Sequence, residues 1–231
     1  MNKNSNYINL RKFCRQQAID LFGVADISEI KSDIKISPPV LEKLDKAVCL
    51  GVRLSNGVMQ EIVNAPTKLY SHHYRVANFV LDQAAFRICN YIQNKGFLVL
   101  AIPVSQIIDW QSQTGHLSHK QVGVLAGLGW IGRNNLLVNK KLGAQLRLVT
   151  ILTDMPLKTD KPSKQNCGDC KLCVQACPAG AIRMSHLEFD HIKCFEKLKE
   201  FQKAHLVEQY ICGVCVNACQ MKTRLTERQR T

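Results

Sequence analysis

The sequence predicts an α+β chain, with a mixed α/β domain over residues 1–157 followed by a small cysteine-rich domain over 158–231. Three observations predict it. Helical apolar periodicity alternates with strand-length apolar runs through the first 157 residues. Eight of the eleven cysteines fall between Cys167 and Cys219. Between these regions lies KTDKPSKQ, Lys158 to Gln165, which is charged, interrupted by Pro162 and without apolar periodicity, and so reads as a linker.

The first helix is expected from about Tyr7 to Phe22, where Leu10, Phe13, Ala18, Leu21 and Phe22 recur at helical spacing and Gly23 ends it. Pro38-Pro39 breaks the chain, and AVCLGVRL, Ala47 to Leu54, reads as a strand. A long helix is expected over Thr67 to Asn94, closed by Gly96, with a buried stripe of Leu69, Tyr70, Val76, Phe79, Val80, Ala84 and Ile88. Phe97 to Val104 and Leu146 to Thr153 have the length and composition of strands.

Composition narrows the function classes. The chain is 46% hydrophobic and 21% charged, which excludes a mostly disordered chain. The polar start MNKNSNYINLRKFCRQQ is unlike a secretory signal, and the longest apolar runs fall well short of the about twenty residues of a membrane span. A cytoplasmic protein without membrane contact is expected, and there clustered thiols bind metal rather than form disulfides. Cys14, Cys49 and Cys89 stand apart among apolar neighbours and read as small buried hydrophobes. The formal charge is +13, of which +8 falls in residues 1–157. That excess suits an acidic electron donor or a nucleic acid, and charge alone does not choose between them.

The cysteines carry the sharpest signal. CGDCKLCVQACP places Cys167, Cys170, Cys173 and Cys177 in C-x2-C-x2-C-x3-C-P spacing, the run of bacterial ferredoxins. In that run the first three thiols hold one cubane and the fourth serves a different one, so a second ligand set must exist. CGVCVNAC supplies Cys212, Cys215 and Cys219, and Cys194 is the remaining cysteine of the region. The count closes with Cys167, Cys170, Cys173 and Cys219 on one 4Fe–4S cluster and Cys177, Cys194, Cys212 and Cys215 on the other. Two zinc sites would also use paired C-x2-C, but the three-cysteine run followed by Cys-Pro argues for cubanes. The second domain is therefore expected to be ferredoxin-like and to pass single electrons.

Gly127, Gly129 and Gly132 match G-x-G-x-x-G literally, yet a dinucleotide site needs a strand before them and a helix after, and RNNLLVN is strand-like. The block AGLGWIGRN (Ala126 to Asn134), the strand LVTILTD ending at Asp154 and the eight-cysteine pattern together resemble the epoxyqueuosine reductase family and its relatives the reductive dehalogenases, over roughly Gly115 to Cys219. The resemblance implies a cobalamin on the first domain, reduced by the nearer cluster, with the other cluster facing an external donor. By position, Gly129, Trp130 and Asn134 would approach the corrin. Epoxyqueuosine reductases carry an acidic proton donor in a D-S-A-P motif upstream of this block, where this chain has SQTGHLSHK. Gln113 and Thr114 cannot replace a carboxylic acid, which leaves His116 and His119 as proton donors near neutral pH. This sequence ends at Thr231, without the helical-repeat extension with which those enzymes grip tRNA, and has Gln220 where a proline is usual.

The expectation is thus an iron–sulfur oxidoreductase that passes single electrons through two 4Fe–4S clusters to a cofactor, cobalamin, and reduces a small electrophilic substrate. Its donor would be a low-potential ferredoxin or flavodoxin, and nucleic acid is not expected as a partner. The alternative is an electron-transfer or reductive-activation protein with no substrate of its own, docking to a corrinoid or flavin enzyme.

Overall fold

The computed structural model describes residues 2–220. The polar, basic tail of the sequence, Lys222 to Arg230 included, lies outside them. In chain order the elements are α1 (Lys3–Gln16), β1 (Leu21–Asp26), α2 (Pro38–Leu41), β2 (Lys46–Arg53), α3 (Asn56–Gln60), α4 (Lys68–Gln93), β3 (Val99–Ile102) and α5 (His119–Leu125). They continue with β4 (Trp130–Ile131), β5 (Leu137–Val138), β6 (Leu146–Thr153), α6 (Leu172–Ala176), α7 (His191–Lys203) and α8 (Val214–Ala218). Mixed helix and sheet is the expected class. Among the described residues no helix is long and apolar enough to cross a membrane.

Contacts divide the chain into two compact units, and the division is not a single cut after residue 157. One unit takes the residues up to Val52, Asn78–Leu128 and Arg147–Lys164. The other takes Arg53–Ala77, Gly129–Leu146 and the chain from Gln165 onward. Composition marked only the last of these crossings. The expected linker is itself mostly structured: Lys158 N–H donates to Lys3 O and Asp160 N–H to Val24 O. The Asp160 carboxylate also accepts from Val24 N–H and from the Tyr7 hydroxyl. Charged residues can hold a strap in place as well as leave it free.

In the first unit a four-stranded sheet has the order β1-β2-β6-β3, with β1 antiparallel to β2 and β3 antiparallel to β6. Every residue of β2 except Arg53 is buried, as is all of β6 except Arg147, which suits central strands covered on both faces. The first predicted helix is cut short. Leu21 and Phe22 pair with Gly51 and Leu50 as β1, because the sheet satisfies their backbone and seats their side chains in one move. The long helix holds its predicted length, but its buried stripe is rotated. Ala77, Leu81, Ala84, Ala85, Ile88 and Ile92 face inward, while Leu69, Val76, Phe79 and Val80 are exposed, Phe79 at 64%. Cys14 and Cys49 are buried as expected, and Cys89 only partly.

In the second unit the two-stranded β4–β5 hairpin pairs Trp130 with Val138 and Ile131 with Leu137. The glycine triplet thus opens a hairpin and not the helix that a dinucleotide site requires. α6 packs against α8.

Candidate metal centre

α6 and α8 are built alike. Each is five residues long, carries a cysteine at its second position (Cys173, Cys215) and is capped by another (Cys177, Cys219). A rise of 1.5 Å per residue puts about 6 Å of helix axis between the two cysteines of each, so one short helix serves two places. Asp190 caps α7, accepting from Lys193 N–H at 2.9 Å, and the first full turn then presents Cys194.

The eight thiols fall into two sets. Cys219 lies close enough to Cys173, Cys167 and Cys170 to interact electrostatically, and Cys173 likewise with Cys167 and Cys170. Cys194 is similarly near Cys177 and Cys212, and Cys215 near Cys212, Cys194 and Cys177. Each set of four therefore completes itself with the capping cysteine of the other motif. Cys215 also feels Cys173, most weakly of its neighbours, so the two sets are adjacent.

Burial dominates their ionisation. It pushes the Cys219 thiol up to about 12, Cys194 to about 11, and Cys215 well above its usual range. Neighbouring thiols add to this in every case, since several anions cannot share one dry pocket without cations between them. Backbone N–H groups oppose it, with Ala144 acting on Cys219 and Val214 on Cys212, and Ala181 N–H donates to Cys177 Sγ at 3.4 Å. Buried thiols beside N–H donors fit an iron–sulfur cluster, whose irons neutralise the thiolates and whose sulfurs accept the hydrogen bonds. Among the described residues no group of three or more His, Cys, Asp or Glu is drawn together as a single-ion site.

The hairpin closes over the first set. Trp130, Val138 and Ala144 form an apolar cluster against which Leu136, Cys167 and Cys219 pack. Gly143, at φ +61°, lets the chain pass so close to Cys219 that a Cβ there would stand 1.9 Å from its carbonyl oxygen. The Trp130 indole N–H donates to Cys167 Sγ at 3.4 Å. Arg133 donates through Nη1 to Cys170 O and through Nη2 to Gly168 O, both at 2.7 Å, and so pins the loop between the first two cysteines.

The residues expected to meet a corrin are placed elsewhere. A Cβ on Gly129 would lie 2.0 Å from Val138 O, so that glycine is closed by its own hairpin. Trp130 and Asn134 are 6% and 3% exposed, enclosed on the side of the first thiol set. The contacts these three positions make are with the hairpin and the first thiol set.

The expected proton donors lie in the first unit. His119 has Nδ1 2.9 Å from Thr150 Oγ1 and Nε2 3.0 Å from Pro103 O, so both ring nitrogens are engaged. Burial drives its pKa down to about 4, so its imidazole is neutral near pH 7. His116 Nδ1 lies 3.0 Å from Lys35 O. Upstream of His116, Asp109 accepts from both the hydroxyl and the N–H of Ser112, and these bonds hold its carboxyl below the usual range. His73 accepts from Ser55 N–H at 2.9 Å, a structural use of a histidine on α4.

Two contributors escaped the sequence reading, Arg133 and the enclosure of Asn134. The only signal for them was their place inside AGLGWIGRN, and nothing local links that block to Cys167.

Comparison with known proteins agrees with this geometry. Residues 166–222, which contain all eight thiols, match the 4Fe-4S double cluster binding domain family. The epoxyqueuosine reductase of Leadbetterella byssophila is 35% identical over 103 residues, which are 41% of this chain and 33% of that protein. Over part of its length this chain is similar to epoxyqueuosine reductases. It aligns with about a third of the length of that relative, and with 47% of the epoxyqueuosine reductase of Synechocystis, at 31% identity over 136 residues.

Solved structures share the fold. An epoxyqueuosine reductase from Streptococcus thermophilus superposes with a TM-score of 0.64 at 20% identity, covering 92% of this chain and 65% of that one. A reductive dehalogenase, whose structure is described as suggesting a mechanism for B12-dependent dehalogenation, gives 0.67 at 16% identity over 80% of this chain and 26% of that one. An epoxyqueuosine reductase solved with an epoxyqueuosine-modified tRNA stem loop gives 0.52 at 18% identity, over 75% and 52%.

Proposed function

We propose that this chain is an iron–sulfur reductase that relays single electrons through two 4Fe–4S clusters. Cys167, Cys170, Cys173 and Cys219 hold one, and Cys177, Cys194, Cys212 and Cys215 hold the other. The observation that carries this reading is the segregation of eight thiols into two sets, each completed by the capping cysteine of the other motif. When bound, the clusters supply one-electron transfer at low potential. The chain holds the thiolates, packs apolar side chains around them and aims N–H groups at sulfur, where they stabilise negative charge. Electrons come from a low-potential ferredoxin or flavodoxin.

The substrate is an electrophile of the kind the relatives reduce. The expectation that nucleic acid takes no part is not supported, since one protein of like fold was solved with a modified tRNA stem loop. We therefore include a modified base in RNA among the proposed substrates, beside small molecules. A corrinoid acceptor rests on likeness to the B12-dependent dehalogenase.

One observation favours a second reading. With His119 neutral and Asp109 ionised, proton delivery falls to His116 or to another protein. The chain would then pass electrons to a corrinoid or flavin enzyme that reduces the substrate.

Electron paramagnetic resonance on anaerobically reconstituted protein, with and without cob(II)alamin, separates the two. Two reducible cubane signals and a base-off cobalt signal are expected of the reductase. An unchanged cobalamin spectrum beside two cubanes supports the electron-transfer protein, and failure to hold two cubanes contradicts both.

A further inference from the structure

One turn of the second unit, from Trp130 to Asn134, carries three side-chain N–H groups, and one of them reaches the first thiol set. The Trp130 indole N–H reaches Cys167 Sγ at 3.4 Å. The Arg133 guanidinium is fixed on Cys170 O and Gly168 O through its terminal nitrogens, and its Nε is buried without a hydrogen-bond partner. Asn134 is 3% exposed, its Oδ1 accepts from Leu136 N–H at 3.4 Å, and its Nδ2 is also buried without a partner. A Cβ built on Gly132 would stand 2.9 Å from Asn134 Oδ1 and 3.6 Å from Cys167 Sγ, so the amide and the thiol flank the same point.

A buried amide N–H₂ with no acceptor is costly, and folded proteins seldom retain one unless something else satisfies it. Cys167 Sγ lies near that amide, since both flank the point a Gly132 Cβ would occupy. Thiolate and sulfide on an iron–sulfur cluster are anionic acceptors, and hydrogen bonds to them raise its reduction potential by stabilising the added electron. A cation held beside the site acts in the same direction.

We propose that Asn134 Nδ2–H and Trp130 Nε1–H donate to sulfur of the cluster held by Cys167, Cys170, Cys173 and Cys219, and with Arg133 lift its potential. This rests on the ligand assignment above and deepens it. The step concerned is the uptake of one electron by that cluster from an external reductant, with no bond broken and no proton taken up.

The test is a redox titration of reconstituted protein with dithionite, followed by electron paramagnetic resonance, on wild type, Asn134→Leu and Trp130→Phe. Each variant is expected to lower the midpoint of one cluster, the same in both. The reduced-to-oxidised ratio at fixed potential should fall about tenfold, which is about 59 mV for one electron. The other cluster should be unmoved. Unchanged midpoints in Asn134→Leu with both clusters intact overturn the proposal. A wild-type protein that holds fewer than two clusters overturns the ligand assignment instead.

If the variants lose iron, wild-type protein labelled with ¹⁵N in its asparagine side chains decides. Pulsed resonance on the reduced clusters is expected to reveal a nitrogen coupling, and its absence overturns the proposal. A cobalt signal that changes in Asn134→Leu while both midpoints stay put overturns it in favour of a corrin contact.

Discussion

His119 shows how one environment decides a residue's role. A histidine at the start of the helix before a glycine-rich block reads as an acid–base group, but Thr150 and Pro103 take both its nitrogens and burial keeps it neutral. Its folded pKa lies below the ordinary value of 6.5, at about 4. Between those values the unfolded chain binds a proton that the folded chain does not, so stability rises with pH across that window. It is lost as pH falls from 6.5 toward 4. Chemical denaturation in steps across this range is expected to show that slope in wild type and a flatter one in His119→Gln. The two sets of cysteines were legible because their spacing is local and the count of eight closes. Asn134 was not, since nothing local in the sequence marks its enclosure.

At the scale of elements, the sequence located α4, β2, β3 and β6 and misplaced two boundaries of packing. The α1 prediction ran into β1 because Leu21 and Phe22 satisfy helical and strand patterns alike, and only pairing with Leu50 and Gly51 decides between them. On α4 apolar residues nearly encircle the helix, so periodicity alone could not choose the buried face. The structure chooses Leu81, Ala84, Ile88 and Ile92 and leaves Val76, Phe79 and Val80 outside. Ile88→Ala should therefore cost about 2–5 kcal/mol through lost burial and a cavity. Phe79→Ala should change stability by about 0.5 kcal/mol or less, as at other exposed positions. Urea unfolding of both variants checks this, and the pattern predicted from the sequence alone would have made both costly.

At the scale of the whole molecule, the division into two units crosses the chain more than once, and composition revealed only the crossing near Lys164. The segments Arg53–Ala77 and Gly129–Leu146 join the cysteine-bearing unit through tertiary contacts that no local pattern announces. The consequence is functional, since the hairpin residues Trp130, Arg133 and Asn134 belong with the thiols they serve. The central claim is that the two motifs exchange their last cysteines. The most direct measurement is the electron paramagnetic resonance spectrum of reduced Cys177→Ala, set beside those of Cys167→Ala and Cys212→Ala. Cys177 is a neighbour of Cys167 in sequence and of Cys212 in space. Cys177→Ala is predicted to disturb the same cluster as Cys212→Ala and to leave the signal that Cys167→Ala removes. A spectrum matching Cys167→Ala would contradict the exchange.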